Sequence, residues 1–409
     1  MKTKILGMLA VVLLAALGWA LATTPILAGP SGDNWLSAGG NRTNTRHQET
    51  EHKLSPSTAS DLSVRWVFNT DGDVSATPAV DQESVYVPDW GGNLWAVDRH
   101  TGAPAWQVII SAVTGVHLDK ARATPVIAGD KVILGTQGSI LVAGGAPGGK
   151  LLAFDKGTGA LLWATQLDEH PAAIVTQSAT VHDGRVYVGV SSLEETLAAV
   201  VPGYTCCSFR GSMLAVDLET GAIVWQAYMA PEGYSGNAVW GSSPAIDVKR
   251  GQVYVATGNN YSVPDEVEAC VLAAGDDADA ISACNAPDNL FDSVVALDLK
   301  TGAVRWATKA LPADTWIASC IGFGDPATCP VPTGPNYDFG QAPALFTVKA
   351  KGTGQPRDLV GTGQKSGQYW ALDPDTGAVV WVTQAGPGGT VGGLQWGSAV
   401  DGQRVYTAD

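Results

Sequence analysis

Residues 96–106 read AVDRHTGAPAW, and the same pattern, Ala-x-Asp-x-x-Thr-Gly-x-x-x-Trp, returns four more times. The copies are AFDKGTGALLW (Ala153–Trp163), AVDLETGAIVW (Ala215–Trp225), ALDLKTGAVRW (Ala296–Trp306) and ALDPDTGAVVW (Ala371–Trp381). They stand 57 to 81 residues apart, which leaves room for one four-stranded unit and a loop each time. Within a copy, the Asp opens a turn by bonding its own downstream backbone, and the Gly supplies positive φ at no steric cost. The run before it, as in GGNLWAV or RGSMLAV, alternates apolar and polar residues and predicts a half-buried strand. One Trp at a fixed place per unit predicts docking of each unit on the next, and the small Ala leaves room for it.

A second phrase precedes most copies: a Pro or small residue, an apolar strand, a turn, and a Val-Tyr-Val-like strand. Examples are ATPAVDQESVYVPD, ATPVIAGDKVILGT, SATVHDGRVYVGV and SSPAIDVKRGQVYVATG. The two phrases give four strands per unit with no helical stretch between them. Such a chain is expected to be all-β, a β-propeller of four-stranded blades. A sandwich array or β-helix is the other all-β repeat, but β-helix coils are far shorter. A sixth unit begins at LQWGSAVDGQRVYTAD and stops at Asp409. LSVRWVF (Leu62 to Phe68) reads as a closing strand ending in Trp66. Both suggest a propeller incomplete at its C-terminus.

The first 28 residues read as a signal peptide: Lys2 and Lys4, then an apolar run from Ile5 to Leu21, with cleavage after Ala22 or Ala28. Residues 29–409 are then the propeller, periplasmic or secreted, with no membrane span left after cleavage. A net charge of −15 without a basic cluster argues against nucleic acid and anionic membranes as partners. Six cysteines in an exported chain are expected to pair. The spacing suggests Cys206–Cys207, Cys270–Cys284 and Cys320–Cys329, the last two stapling long insertions. Adjacent Cα atoms lie about 3.8 Å apart, below the usual disulfide range, so a bridge between neighbours is strained. Cys206 and Cys207 pairing elsewhere is the alternative. No Cys-x-x-Cys-His is present for covalent haem.

Chemistry is expected where the repeat is interrupted. VGVSSLEETLAAVVPGYTCCSFRG (188–211) puts Glu194 and Glu195 beyond a strand end, with the paired cysteines after a loop. NAVWGSSPAIDVKRGQVYVATGNNYSVP (237–264) puts Trp240 before one strand and Asn259 and Asn260 after the next. GPNYDFGQAPALF (334–346) carries Asp338, and LVGTGQKSGQYWALD carries Lys365 between strands. A Glu, an Asn oxygen and an Asp form a hard, oxygen-rich set suited to Ca²⁺. A Trp platform with a neighbouring disulfide can sandwich a flat ring, and a Lys can neutralise its oxygens. A pair of loop glutamates is more commonly just solvated.

At these phrases the sequence resembles the pyrroloquinoline quinone (PQQ) dependent dehydrogenases, most closely their polyvinyl-alcohol dehydrogenase-like branch. SSLEE, CCSFRGS, VWGSSPAIDVKRGQVYVATGNNYSVP and GQKSGQYWALDPDTGAVVW carry the likeness. The resemblance implies an eight-bladed ring. It gives Trp240 the role of stacking under PQQ, and Asn259 and Glu195 (or Glu194) those of Ca²⁺ ligands. Lys365 is implied to contact the quinone oxygens. Asp338 is implied to be the catalytic base, also approaching the metal. Asp314 is the alternative base, because Ile317 in DTWIAS stands where alcohol dehydrogenases of this superfamily place that Asp. The paired Cys206 and Cys207 follow the Glu rather than preceding it, which departs from the methanol dehydrogenase pattern. The implied activity is oxidation of an alcohol, secondary and polymeric in the branch it resembles, with electrons passed to a separate cytochrome c or similar acceptor. A propeller that serves only as an assembly or interaction scaffold is the rival reading, since fold does not dictate function.

Overall fold

The computed structural model describes residues 34–138, 148–350, 352 and 354–409. The signal peptide expected at residues 1–28 lies outside the described residues.

Each copy of the repeat joins the last two strands of an antiparallel blade. Among the described residues there are five such blades, four with four strands and one with five. Blade one comprises Ala79–Val80, Ser84–Pro88, Asn93–Asp98 and Pro104–Ile109. Blade two comprises Val126–Ala128, Lys131–Gly135, Lys150–Asp155 and Leu161–Gln166. Blade three comprises Thr180–His182, Arg185–Ser192, Ser212–Asp217 and Ile223–Tyr228, with Ala173–Ile174 pairing the end of its second strand. Blade four comprises Ala245–Asp247, Gln252–Ala256, Ser293–Asp298 and Val304–Lys309. Blade five comprises Ala344–Lys349, Pro356–Gly363, Gln368–Leu372 and Val379–Gln384. Ala399–Val400 pairs with Val405–Tyr406, as expected for the start of a further unit.

The repeat is explained atom by atom. The Asp side chain accepts from the backbone two and three residues on and from the Thr hydroxyl, as at Asp298 with Lys300 N, Thr301 N and Thr301 Oγ1. The Thr hydroxyl in turn accepts from a later N–H, closing the turn. The indole N–H of Trp66 and of the first four repeat tryptophans donates to the carbonyl that follows the Asp of the next turn, at 2.9–3.2 Å. The pairs are Trp66 to Arg99, Trp106 to Lys156, Trp163 to Leu218, Trp225 to Leu299 and Trp306 to Pro374. The repeat Gly lies on that same ring. Its φ is 72–75°, and a Cβ at any copy would stand within 2.5–2.8 Å of the previous indole or its neighbouring threonine oxygen. The glycine therefore answers two demands, left-handed backbone and close approach.

Three expectations are corrected. The strand before the turn is not half-buried: Ser212–Asp217 is buried at every position but the last. Its residues do alternate, but between two cores. Met213 and Ala215 pack with Val253, Val255 and Val295 of blade four, while Leu214 and Val216 pack with Ile133, Leu151 and Ala153 of blade two. A blade sandwiched between neighbours needs apolar residues on both faces, so the sequence alternation carries little polarity contrast. Helices also intervene, all in the insertions: Glu194–Val200, Asp265–Ala274 and Ala278–Cys284, besides the short Ile110–Thr114. Leu62 to Phe68 forms no strand, yet Trp66 docks on blade one like the repeat tryptophans. All three expected disulfides are formed.

The N-terminal segment lies along the first strands. Backbone bonds join Trp35 to Val80, Leu36 to Ile127, Arg42 to Ile246, Thr43 to Leu345 and Thr45 to Val400. The buried Asn44 amide donates to the carbonyls of Ser243 and Pro343. This segment ties blades one, two, four and five to one another near their innermost edges.

Candidate active site

Successive blades present the same two places to one cavity: the segment entering the first strand and the turn leaving the second. Arg122 comes from blade two, Thr176 and Glu195 from blade three, Trp240 and Asn259 from blade four, and Asp338 and Lys365 from blade five. They line a cavity of about 250 Å³, which Trp396 also borders.

Asp338 is the most heavily engaged of these groups. Trp240 donates its indole N–H to Oδ2 at 2.9 Å, and the Asn259 backbone N–H donates to Oδ1 at 3.1 Å. The Lys365 ammonium lies 3.0 Å from Oδ2, donates to Asn336 Oδ1 at 3.1 Å, and stands 5.3 Å from the Trp240 ring centre. Burial alone would push Lys365 down, but the charges of Asp338 and Glu195, with the bond to Asp338, hold it above its ordinary value. Gly258, in Thr-Gly-Asn, permits this closeness: a Cβ there would lie 3.0 Å from Asp338 Oδ2 and 3.2 Å from the Trp240 Nε1.

The two adjacent glutamates have separate surroundings. Glu195 lines the cavity, and burial raises its carboxyl to about 7; Lys365 opposes that rise and Asp338 adds to it. Glu194 is fully buried elsewhere. It accepts from the N–H groups of Ser208 and Phe209 and from the Tyr204 hydroxyl, with the His170 ring 3.4 Å away. Its carboxyl is held low: burial would raise it, and His170 and the two N–H groups outweigh that. Helix Glu194–Val200 begins here and turns the two neighbouring side chains apart. Asn259 commits its amide N–H groups to the carbonyls of Asn260 and Trp316, so the group left for a ligand is Oδ1.

Asp314 does not line this cavity. Its carboxylate accepts from the N–H groups of Asn336 and Tyr337, fixing the loop that delivers Asp338. Burial raises Asp314 to about 6 despite those bonds, and Asp292 faces it from inside the core. Cys206 and Cys207 do not line the cavity either. Cys207 packs against the core that holds Phe209 and Tyr261, and Cys206 borders a larger neighbouring cavity. The physical reason is Glu194, which draws the N–H groups of Ser208 and Phe209 inward, and the disulfide with them.

Sequence reasoning missed Arg122, Thr176 and Trp396. The Arg122 guanidinium lies 4.7 Å from the Trp396 ring centre, and Trp396 meets Trp240 edge-on at 5.5 Å between ring centres. Thr176 shares a hydrogen bond with Ser191 at 3.0 Å. The signal was positional: Arg122 in ARATP and Trp396 in QWGSA enter their units where Trp240 in VWGSSP enters blade four.

Comparison with known proteins agrees with the propeller fold. A family model described as the outer membrane protein assembly factor BamB matches residues 19–200 and 145–308. A second, described as the β-propeller domain of glucose/ethanol/alcohol dehydrogenase, matches residues 228–396. Polyvinylalcohol dehydrogenases of a Pseudomonas sp. and of Sphingopyxis sp. strain 113P3 are each 30% identical, over 91% and 94% of this chain. The chain spans 54% and 55% of those two proteins, about half their length. The structure of quinohemoprotein alcohol dehydrogenase from Comamonas testosteroni superposes with a TM-score of 0.64 at 21% identity, over 93% of this chain and 53% of that one. At that identity the likeness is one of fold.

Proposed function

The chain belongs to the PQQ-type family of β-propellers, and we propose that it carries the catalytic face of a PQQ-dependent alcohol dehydrogenase. The observation that supports this most is the single oxygen of Asp338 held by both Trp240 and Lys365 at the edge of the cavity. The residues fit the cofactor's chemistry. The Trp240 indole is fixed by its N–H, so its face is available to a flat ring. Lys365 and Arg122 supply positive charge for an anionic quinone, and Thr176 supplies a hydroxyl. Glu195, the Asn259 Oδ1 and Asp338 are the oxygen donors suited to Ca²⁺. When bound, PQQ accepts the hydride and the cation polarises its carbonyl.

The remaining work falls to the chain. Asp338 takes the hydroxyl proton as general base. Lys365 holds that carboxylate in place and would present a positive charge to the oxygens of a bound quinone. Asn259 N–H and the Trp240 N–H fix the direction of the accepting oxygens. The alcohol carbon leaves as a ketone or aldehyde, and the electrons pass to a separate cytochrome c or similar acceptor. A secondary alcohol is the substrate favoured by the likeness to polyvinylalcohol dehydrogenases. A periplasmic or secreted setting accords with the signal-like first 28 residues; no helix among the described residues is long and apolar enough to cross a membrane.

The test is reconstitution with PQQ and Ca²⁺, followed by dye-linked oxidation of secondary alcohols. Absence of PQQ binding would overturn the reading. It would also favour the second one, an assembly scaffold, which the BamB description of the longer family match supports.

A further inference from the structure

Three insertions leave the scaffold at the two places that supply the candidate site: after the second strands of blades three and four, and before the first strand of blade five. They meet over the site. The Asp325 N–H of the last insertion donates to the Ala199 carbonyl of the first at 3.0 Å. The middle one, with helices Asp265–Ala274 and Ala278–Cys284, borders a groove of about 490 Å³ together with Cys206 of the first and Pro330 of the last. Val263, Val267, Val271 and Ile281 give the groove apolar walls. Its lips, Leu272 and Val331, are 52% and 63% exposed, and Phe323 of the Cys320–Cys329 loop is 53% exposed. Apolar side chains gathered at the mouth of one groove mark a surface that a partner covers.

The charge around the groove says which partner. Asp265, Glu266, Asp276, Asp277, Asp279 and Asp288 are all exposed on the middle insertion. No Lys, Arg or His occurs at 251–299 or at 310–348. The first insertion adds Arg210, which is committed to the Ala230 carbonyl and the Tyr228 ring. A second copy of this chain brings the same sign and is repelled. A basic protein is attracted, with the charged rim steering it and the apolar centre holding it.

The groove lies one layer of residues from the candidate site. Tyr261 lines both, and Thr315 borders the groove where Trp316 borders the site. Such a layer stops a molecule, but an electron tunnels across packed side chains. We propose that the groove and its acidic rim are the docking surface of a small basic haem protein that collects electrons from the candidate site. The proposal rests on the alcohol-oxidising reading above and adds the acceptor's place and charge to it. Each alcohol oxidised to a ketone gives up two electrons and two protons. Two ferric haems take one electron each, docking in turn, and the protons pass to water.

The probe is a lysine-rich ferric cytochrome c, titrated by calorimetry into the full chain without added cofactor, at rising salt. The same cytochrome acetylated on its lysines is the control. Binding should weaken steeply with salt and be lost on acetylation. The triple variant Glu266→Gln, Asp276→Asn, Asp279→Asn should weaken it about tenfold. The double variant Leu272→Ser, Val331→Ser should weaken it by a similar factor without changing the salt dependence. Glu49→Gln, Glu83→Gln, Glu219→Gln removes as much charge elsewhere and should bind as wild type. All these residues are exposed, so the fold tolerates the changes. In reconstituted enzyme, the groove variants should slow cytochrome reduction and leave dye-linked oxidation unchanged.

Equal weakening by the two triple variants overturns the surface, because net charge then explains the binding. Binding that survives acetylation overturns it too, as does a dimer of this chain that the Leu272, Val331 variant breaks. Salt-sensitive binding lost only in the groove variants upholds the docking surface even if no alcohol is oxidised. Failure of oxidation then counts only against the enzymatic reading.

Discussion

The edge of the Trp240 indole is pinned to Asp338, N–H to Oδ2 at 2.9 Å, and the Lys365 ammonium approaches the same oxygen at 3.0 Å. One carboxylate therefore fixes both the ring platform and the buried cation. Asp338→Asn keeps the shape and removes the proposed base. Dye-linked alcohol oxidation should fall by about 10²- to 10⁴-fold. Asp338→Ala should also lower the melting temperature, because it leaves Lys365 buried without its partner, a loss of about 3–5 kcal/mol in comparable pairs. Activity retained in Asp338→Asn would remove this residue from the chemistry.

Arg122 is the cation that sequence reasoning overlooked. It is held by the Trp396 face at 4.7 Å and lines the same cavity as Lys365. Arg122→Ala should weaken PQQ binding about 10- to 100-fold, the usual consequence of losing a charged hydrogen bond. Fluorescence titration of PQQ into wild type and variant measures it, and equal dissociation constants would place the carboxylates of the cofactor elsewhere.

Asp292 has both carboxyl oxygens buried without a hydrogen-bond acceptor's usual donors, and it faces Asp314. Burial, and then the charge of Asp314, raise Asp292 well above its ordinary value; burial raises Asp314 to about 6. A carboxyl raised in the folded state is protonated there while the unfolded chain has already lost its proton. Stability is then full at low pH and falls as pH rises from the unfolded value near 4. Asp292→Asn mimics the protonated form at every pH. Its melting temperature should exceed that of wild type at pH 8, with the gap closing toward pH 4. A gap of constant size would mean that the pair does not titrate between these limits.

The repeat glycines carry a sharper expectation than turn chemistry alone. Gly302 has φ 72° and lies on the Trp225 ring, where a Cβ would stand at 2.6 Å. Gly251 has φ 64° with open space around it. Gly251→Ala should lose about 1–2 kcal/mol, the left-handed backbone penalty. Gly302→Ala carries that penalty together with displacement of a docked indole, and should lose clearly more. Urea midpoints of the two variants separate backbone strain from blade docking.

The blades were legible because each repeat satisfies its turn locally: Asp, Thr and Gly act within five residues, and the Trp of each of the first four copies reaches the next. What escaped was set by contacts distant in sequence. Nothing in SSLEETL says which glutamate a helix start will turn inward. Nothing near CCSF reveals that a buried Glu194 takes its backbone N–H groups. Asp338 and Lys365 stood out because they interrupt the repeat. Arg122 sits inside an ordinary-looking strand entry, visible only when that place is compared across blades. The apolar character of both blade faces likewise depends on neighbours some 40 or more residues away.

The adjacent glutamates give the last prediction, because the two substitutions should part cleanly. Glu194→Gln weakens the acceptor for Ser208 N–H, Phe209 N–H and Tyr204 Oη, all at 2.8–3.1 Å. The amide keeps only one acceptor oxygen for donors that now share two. The melting temperature should fall, while Ca²⁺-dependent PQQ binding by the folded fraction persists. Glu195→Gln touches no such network. It removes a cavity carboxylate that burial has already raised to about 7, so its cost in stability should be small or negative. Its effect should appear in reconstitution. In wild type, Ca²⁺ binding should weaken as pH falls through 7, because the proton competes with the cation for Glu195. In Glu195→Gln that pH dependence should vanish, and affinity should be low throughout. If instead Glu194→Gln abolishes Ca²⁺ binding and Glu195→Gln leaves it intact, the roles given to the two residues are reversed.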